Sequence, residues 1–307
     1  MNSKKETILI AGGTGMVGSA LLRWINYSKY DVILLSRLNK EIDKAGISIV
    51  KWDPDNLTID RLSNVDHVIN LSGAGIADMR WTKDRKSTII SSRVNSASTL
   101  EKYIKSLKIK PKSYISASAV GYYGDCGAQV LTENSRSGDE FLSECCVKWE
   151  KAAISAGTQC NRTVILRIGI VLSALGGALP KMIMTKKLGI FSYFGNGQQF
   201  CPWIHINDLC RLILTTLEDN NFSGVYNAVA PEQITNKEMI EQIKLKLSSK
   251  AFVISVPQFV LKLILGEMAN VVLNSNRVIS DRIQSSMFTY HFTKVGDAVK
   301  DVMDKSI

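Results

Sequence analysis

The chain has few of the residues that anchor metals, disulfides or membranes. Only 3 histidines occur in 307 residues. The 6 cysteines, at 126, 145, 146, 160, 201 and 210, form no C-x-x-C pair and have no histidine cluster beside them. They read as reduced thiols, several of them buried, which excludes a disulfide frame and a zinc site; no metal is expected. No apolar run has the length that spans a bilayer, and the nearest, Phe259 to Leu265, carries Lys262 and stops at Gly266. Met1 to Glu6 is short and polar where a leader peptide is apolar, so a cytoplasmic protein with no membrane partner is expected. Low-complexity blocks are also missing. Hydrophobic residues make up 45% and charged residues 21%, the balance of an ordinary globular chain. The net charge of +10 invites a nucleic-acid reading, but the lysines are scattered. Their one cluster, Lys105, Lys108, Lys110 and Lys112, flanks a helix–strand junction without a recognition helix or finger. Nucleic acid is therefore not expected as a partner. The basic field suits a small anionic substrate or a phosphorylated cofactor.

What is present begins at the amino end. Four apolar residues, Ile8 to Ala11, lead into Gly12-x-x-Gly15-x-x-Gly18, and Ser19 to Ile25 reads as a helix. A strand, a glycine turn and a helix N-terminus hold a dinucleotide pyrophosphate: small residues admit the phosphates and free N–H groups face their charge. Gly12, Thr14, Gly15, Met16, Val17 and Gly18 are the expected cofactor residues of this loop. Asp31 to Arg37 is the second strand. An acid at its end accepts from the ribose of NAD, whereas an arginine accommodates the 2′-phosphate of NADP. The chain has Ser36 and Arg37 there and no acid, so NADP is favoured over NAD. Ile47 to Pro54 gives a third strand, with Trp52 and Asp53 expected beside the adenine.

Val65 to Gly75 is a fourth strand and a small-residue loop, in which Leu71, Ser72 and Gly73 are expected close to the cofactor. His67 lies within the strand and reads as structural. Arg80 and Trp81 form a candidate substrate clamp, for an anion and a ring. Apolar positions from Ile89 to Ile104 predict a helix from Asp84 to about Ser106, capped by Thr82. Lys83, Arg85 and Lys86 oppose the helix dipole in its first turn, which hints at a role beyond helix stability. Lys112 to Gly124 is the fifth strand and its loop, containing Ser116, Ser118, Tyr122 and Tyr123. Ligands of open α/β sheets sit at strand carboxyl ends, so this loop is an active-site candidate by position. A helix over Glu140 to Ser155 and a sixth strand over Asn161 to Leu172, with Arg167, complete the alternation. The fold class is α/β: a doubly wound, mostly parallel sheet of Rossmann type with a smaller, mainly helical lobe. Residues 1–172 are assigned to the nucleotide domain, with returning segments at about 200–230. Residues 173–307 make up the substrate lobe, which ends in a distinct domain at about 256–304. Thr235 is a candidate cap for the helix that follows it.

Gly12 to Gly18, Ser116 to Gly124 and Trp203-Ile-His-Ile-Asn-Asp208 together resemble the extended short-chain dehydrogenase/reductase superfamily. Arg80-Trp81-Thr82, Ser92-Arg93-Val94, Leu166 to Leu172 and the stretch from Val256 are similar to its atypical "epimerase family" branch, also described as nucleoside-diphosphate-sugar epimerase-like. The resemblance implies an NADP-dependent oxidoreductase or epimerase acting on a sugar nucleotide or a small carbonyl or hydroxyl compound, as a monomer or homodimer. It places Trp203 and His205 near the substrate. It also counts Arg167 with the cofactor residues and, with Asn227, as a tie between the lobes. It makes Ser118 the catalytic serine and calls for a Tyr-x-x-x-Lys pair on the next helix, the tyrosine acting as general acid/base. Here Cys145 and Trp149 stand at those positions, and tryptophan carries no cationic donor. Three readings stay open: Tyr122 or Tyr123 supplies the phenol, Cys145 acts as the acid, or the chain binds NADP(H) without catalysis.

Overall fold

The computed structural model describes residues 4–37, 45–59, 65–247 and 250–304. Residues 1–3, read above against a leader peptide, and 305–307, the end of the second lobe's span, lie outside the described residues. In chain order the nucleotide half comprises β1 (Glu6–Ala11), α1 (Met16–Leu21), β2 (Tyr30–Ser36), β3 (Ile47–Asp53), β4 (Thr58–Ile59) and β5 (His67–Asn70). It continues through α2 (Lys83–Lys105), β6 (Ser113–Ala119), a 3₁₀ turn at Val120–Tyr123, β7 (Val130–Leu131), α3 (Phe141–Gly157) and β8 (Thr163–Ile168). Then follow β9 (Ile170–Leu172), α4 (Ala178–Met182), β10 (Ile190–Phe194), β11 (Trp203–His205), α5 (Ile206–Glu218) and β12 (Gly224–Ala228). The chain closes with α6 (Asn236–Leu247), β13 (Phe252–Val256), α7 (Gln258–Leu265), α8 (Asn270–Leu273), β14 (Arg277–Val278), α9 (Asp281–Gln284) and α10 (Val295–Asp304).

Eight strands form one sheet in the order β12-β8-β6-β5-β1-β2-β3-β4, parallel throughout except for the β3–β4 hairpin. Alternate residues of the central strands face opposite layers. Ile8, Ile10, Val32 and Leu34 pack with α1 and α5, while Leu9, Ala11, Ile33 and Leu35 pack with residues of α2 and α3. A parallel sheet covered on both faces needs both sets to be apolar, which explains strands written as unbroken runs. The strand order reverses between β1 and β5, the switch point where such sheets open a crevice at their carboxyl edge.

Two predicted elements differ in extent. The first helix begins at Met16, earlier than expected, and ends at Leu21. Beyond it Arg23 and Trp24 bond to Ala20 and Leu21 in tighter i→i+3 geometry. The expected sixth strand breaks at Gly169, whose missing side chain leaves room for the Pro202 carbonyl, 2.7 Å from where a Cβ would lie. β8 stays in the main sheet, while β9 turns away to pair with β11.

The later half has its own core, built from Leu172, Leu179, Phe191, Trp203, Met239, Ile243 and Val299 among others. Thr235 caps α6 reciprocally with Glu238: the Thr235 N–H donates to the Glu238 carboxylate at 2.9 Å, and the Glu238 N–H donates back at 3.4 Å. Among the described residues no helix is long and apolar enough to cross a membrane.

Candidate functional site

The carboxyl edge of β1 and β5 forms a cradle made of backbone. Gly12 adopts φ +81°, and a Cβ there would lie 2.7 Å from the Leu71 carbonyl, so the turn after β1 rests directly on the loop after β5. Gly18 lies against the same turn, 2.5 Å from Gly13 Cα at its Cβ position, and locks α1 onto it. Gly15, the residue before α1, meets only the Gly12 carbonyl, and no side chain caps the helix. Thr14 is exposed, and Met16 reaches Gly177 of the second lobe, its sulfur 3.2 Å from that Cβ position. Val17 packs partly into the core. An open backbone turn with free helix N–H groups fits a dinucleotide pyrophosphate.

The other expected cofactor residues divide into two groups. At the end of β2, Ser36 is buried and Arg37 is exposed. Trp52, however, is a core side chain packed with Leu35 and Val65, and the Asp53 carboxylate is engaged by Asn56 and the Asp55 N–H in a turn. In the β5 loop, Leu71 packs against the core, while the Ser72 hydroxyl is buried without a hydrogen-bond partner. Gly73 lies against Arg93 of α2, its Cβ position 3.1 Å from the guanidinium carbon. Ser116 is sealed within β6, its hydroxyl on the Ala117 carbonyl.

At the carboxyl end of β6 the side chains engage one another. The β6–β8 register sets Ser118 beside Arg167. Glu150 of α3 accepts from Ser118 Oγ at 2.6 Å and from the Arg167 guanidinium at 2.8 and 2.9 Å, a forked pair inside the protein. Arg167 also donates to the Glu133 carbonyl. The Tyr123 hydroxyl stands 3.0 Å from Arg167 and donates to Asn227 Oδ1 at 2.6 Å. Tyr123 is buried, and desolvation holds its phenol above the ordinary value, so the chemistry its position promised is closed off by a structural network. Arg167 is likewise enclosed; Asn227, its register partner on β12, donates to the Ile279 carbonyl at 2.9 Å. Tyr122 is half-buried. Its ring covers the Arg167 guanidinium at 3.4 Å, and its hydroxyl makes no hydrogen bond among the described residues. Burial pushes the Cys145 thiol up and the Cys146 thiol to about 12, so both stay protonated.

Arg80 and Trp81 lie where the lobes meet. Arg80 donates to the Leu263 carbonyl of α7, and the Trp81 indole donates to the Ile76 carbonyl at 2.8 Å. Trp81 lines a cavity of about 240 Å³ with Lys86, Phe141, Leu142, Glu267 and Asn270. Leu142 packs against Gly121 of the 3₁₀ turn, 3.5 Å from where a Cβ there would lie. Thr82 caps α2 as expected, accepting the Arg85 N–H at 3.1 Å. Two of the three first-turn cations have partners: Arg85 holds the Gly75 carbonyl and Asp78, and Lys86 pairs with Glu267 across the lobes.

Trp203 and His205, expected at the substrate, are inside the protein. The His205 ring caps α5 through Nδ1, stacks on Phe292 at 3.9 Å and reaches Asp301 at 3.3 Å. Asp208 accepts the N–H groups of His291 and Phe292. The Trp203–Asp208 segment therefore clamps the carboxyl-terminal domain to the rest. His67 is structural as read, between Ser113 Oγ and Glu6. Among the described residues no group of three or more His, Cys, Asp or Glu side chains is placed to hold a metal.

Glu150 escaped the sequence reading, and Arg93 entered it only within a motif, with no role of its own. Glu150 had a signal, because it interrupts a buried stripe of α3 at Ser143, Cys146, Ala153 and Gly157, where an acid requires a partner.

A family model described as "NAD dependent epimerase/dehydratase family" matches residues 8–229, and one for a domain of unknown function, DUF1731, matches residues 256–302. The chain is 35% identical to "Epimerase family protein SSP1921" of Staphylococcus saprophyticus over 96% of this chain and 98% of that one. Among solved structures it resembles human epimerase family protein SDR39U1 (isoform 2) with NADPH, at TM-score 0.88 and 32% identity, covering 97% of this chain and 99% of that one. A UDP-glucuronic acid 4-epimerase from Bacillus cereus in complex with UDP-glucuronic acid and NAD shares the fold at TM-score 0.76 and 16% identity, covering 98% and 100%.

Proposed function

The chain belongs to the NAD dependent epimerase/dehydratase family, and we propose that it binds NADP(H) and acts as an oxidoreductase or epimerase on a sugar nucleotide or another small carbonyl or hydroxyl compound. The observation that carries this reading is the backbone cradle at the switch point, where Gly12 and Gly18 bring the β1 turn, the β5 loop and the uncapped end of α1 together. Preference for NADP rests on exposed Arg37 at the end of β2, with no acid beside it. The NADPH in the human relative's structure agrees with that preference.

When bound, NADP(H) supplies hydride exchange at the nicotinamide C4. The main-chain N–H groups of Met16 and Val17, at the start of α1, would hold the pyrophosphate, and Arg37 would meet the 2′-phosphate. Substrate enters through the cavity beside Trp81 and Leu142. Tyr122 carries the proton at its hydroxyl oxygen, because Tyr123 is held by Asn227 and Arg167. Ser118 donates to a substrate oxygen only by releasing Glu150. That requirement favours one alternative, a non-catalytic NADP(H)-binding or sensing protein in which Ser118 is structural. Fluorescence titration with NADPH and NADH tests the first step. Tighter NADPH binding is expected, failure to bind either removes the proposal, and tighter NADH binding removes the role of Arg37. Turnover across sugar nucleotides and small carbonyls, lost in Tyr122→Phe with cofactor affinity kept, supports the enzyme; binding without turnover supports the sensor.

A further inference from the structure

The apolar run from Phe259 to Leu265 folds as α7, a helix that is apolar on both its inner and its outer side. Leu261 is its buried residue. Phe259 is 72% exposed and Leu263 77%, one turn apart on the outer side with Ile264 next to them, where a surface helix ordinarily carries polar groups. The surface continues onto β13. Val253 packs on the core of the later half, and the alternation of the strand sends Phe252 and Ile254 to the opposite, exposed face. The Phe252 N–H donates to the Gly189 carbonyl at 2.8 Å, which sets Phe252 beside Leu188. Each of these two is 75% exposed, and Met184 protrudes from the start of the same short 3₁₀ segment, Met184–Leu188. Lys181 donates to the Ala77 carbonyl and Arg80 to the Leu263 carbonyl, so this stretch and α7 meet the same loop and lie on one side of the molecule.

The charge around these side chains has one sign. Residues 175–195 and 250–266, which form the surface, contain Lys181, Lys186, Lys187, Lys250 and Lys262 and not one acidic residue. Lys187, Lys250 and Lys262 are exposed and enter no ion pair among the described residues. We infer that this face docks on a lipid bilayer with anionic headgroups, its phenylalanine, leucine and methionine side chains entering the interface and its lysines meeting the headgroups. The expectation of no membrane partner rests on the lack of a spanning run, and a helix that lies in the interface needs none. A second copy brought up by a two-fold axis would set lysine against lysine. A protein partner would have to supply a pocket for each protruding side chain, whereas lipid accepts them without matching shape. The inference does not depend on the cofactor reading, which the Gly12–Gly18 cradle carries.

Co-sedimentation of the whole chain with vesicles tests it. Binding is expected to vesicles of equal parts phosphatidylglycerol and phosphatidylcholine, to be at least about tenfold weaker on phosphatidylcholine alone, and to weaken as salt is raised. Phe259→Ser/Leu263→Ser changes two exposed positions and is expected to lower binding to the anionic vesicles by at least about tenfold. Lys187→Gln/Lys262→Gln is expected to lower it by about tenfold. It also keeps the test open if the serine variant does not fold. Ile109→Ser, at an exposed apolar residue between Lys108 and Lys110, is expected to change nothing, which separates this face from the net charge of +10. Binding that survives both double variants overturns the inference, as does equal loss in Ile109→Ser. Wild-type protein that ignores the anionic vesicles overturns it as well: a dimer that Phe259→Ser/Leu263→Ser separates would then assign the face to a second copy, and a monomer would assign it to an acidic protein.

Discussion

The two walls of the crevice are built on opposite principles. The wall formed by β1, α1 and the end of β2 offers main-chain N–H groups and one exposed arginine, with almost no side chain committed. The wall formed by β6, α3 and β8 is side chains committed to each other: Ser118 to Glu150, Glu150 to Arg167, Arg167 to Tyr123 and Tyr123 to Asn227. The first wall is open and generic, so any dinucleotide pyrophosphate fits it. The second is closed and particular, and what remains available there is Tyr122 and a serine that must exchange partners. Cofactor binding and chemistry are thus separable in this molecule, and retaining one does not entail the other.

The strongest way to break this contrast is to attack the closed wall. Glu150→Gln keeps the shape and removes the charge, leaving Arg167 buried without its counter-ion. Breaking a buried pair by neutralising one partner costs about 3–5 kcal/mol. Urea unfolding is expected to show a loss of that order, while the folded variant still binds NADPH with near wild-type affinity. The double variant Glu150→Gln/Arg167→Met should recover part of the loss, because it removes the unpaired charge. A large fall in NADPH affinity with unchanged stability would show that the network belongs to the cofactor site and not to the scaffold.

The same contrast explains what could be read from the sequence. The shape of the open wall was legible because it is written in missing side chains at fixed local spacing, Gly12, Gly15 and Gly18 after an apolar run, and Arg37 closes the next strand. Thr82 and Thr235 were legible as caps for the same reason, since a cap acts within one helical turn. The closed wall depends on register. Ser118 meets Arg167 only because β6 pairs with β8, and Glu150 arrives from a helix between them. Nothing local in Trp203 or His205 shows that β9 will leave the main sheet to pair with β11 and take both side chains inside. Trp52 illustrates the limit from the other side: a residue correctly placed at a strand end still turns into the core because strand faces alternate. Arg93 was visible as part of a motif, but its place over the Trp149 ring needed the packing of α2 on α3.

A second prediction sharpens the open wall. Gly18→Ala forces a methyl group into the backbone of the Gly12–Gly13 turn, which has no flexible side chain to move aside. The turn must shift, and with it the N–H groups that face the phosphates. NADPH affinity is expected to fall by about a hundredfold, or roughly 3 kcal/mol, with a stability cost of about 1–3 kcal/mol from overpacking. Calorimetric titration beside thermal unfolding separates the two. Retained affinity would mean that the cradle is not where the cofactor sits.

The smallest expected effect concerns the one side chain the open wall uses. Arg37 is exposed, so its attraction for a 2′-phosphate is screened by solvent and salt. Arg37→Glu reverses the charge and supplies the acid that accepts from the 2′-hydroxyl of NAD. The ratio of NADPH to NADH affinity should fall by about tenfold or somewhat more, around 1.4 kcal/mol, and the change should shrink as salt is raised. Stability should stay within about 0.5 kcal/mol, as for other surface substitutions. Because the variant leaves the Gly12–Gly18 backbone untouched, NADH should bind at least as well as before. If both cofactors weaken together, the 2′-phosphate is held elsewhere, and the open wall is less generic than its backbone makes it look.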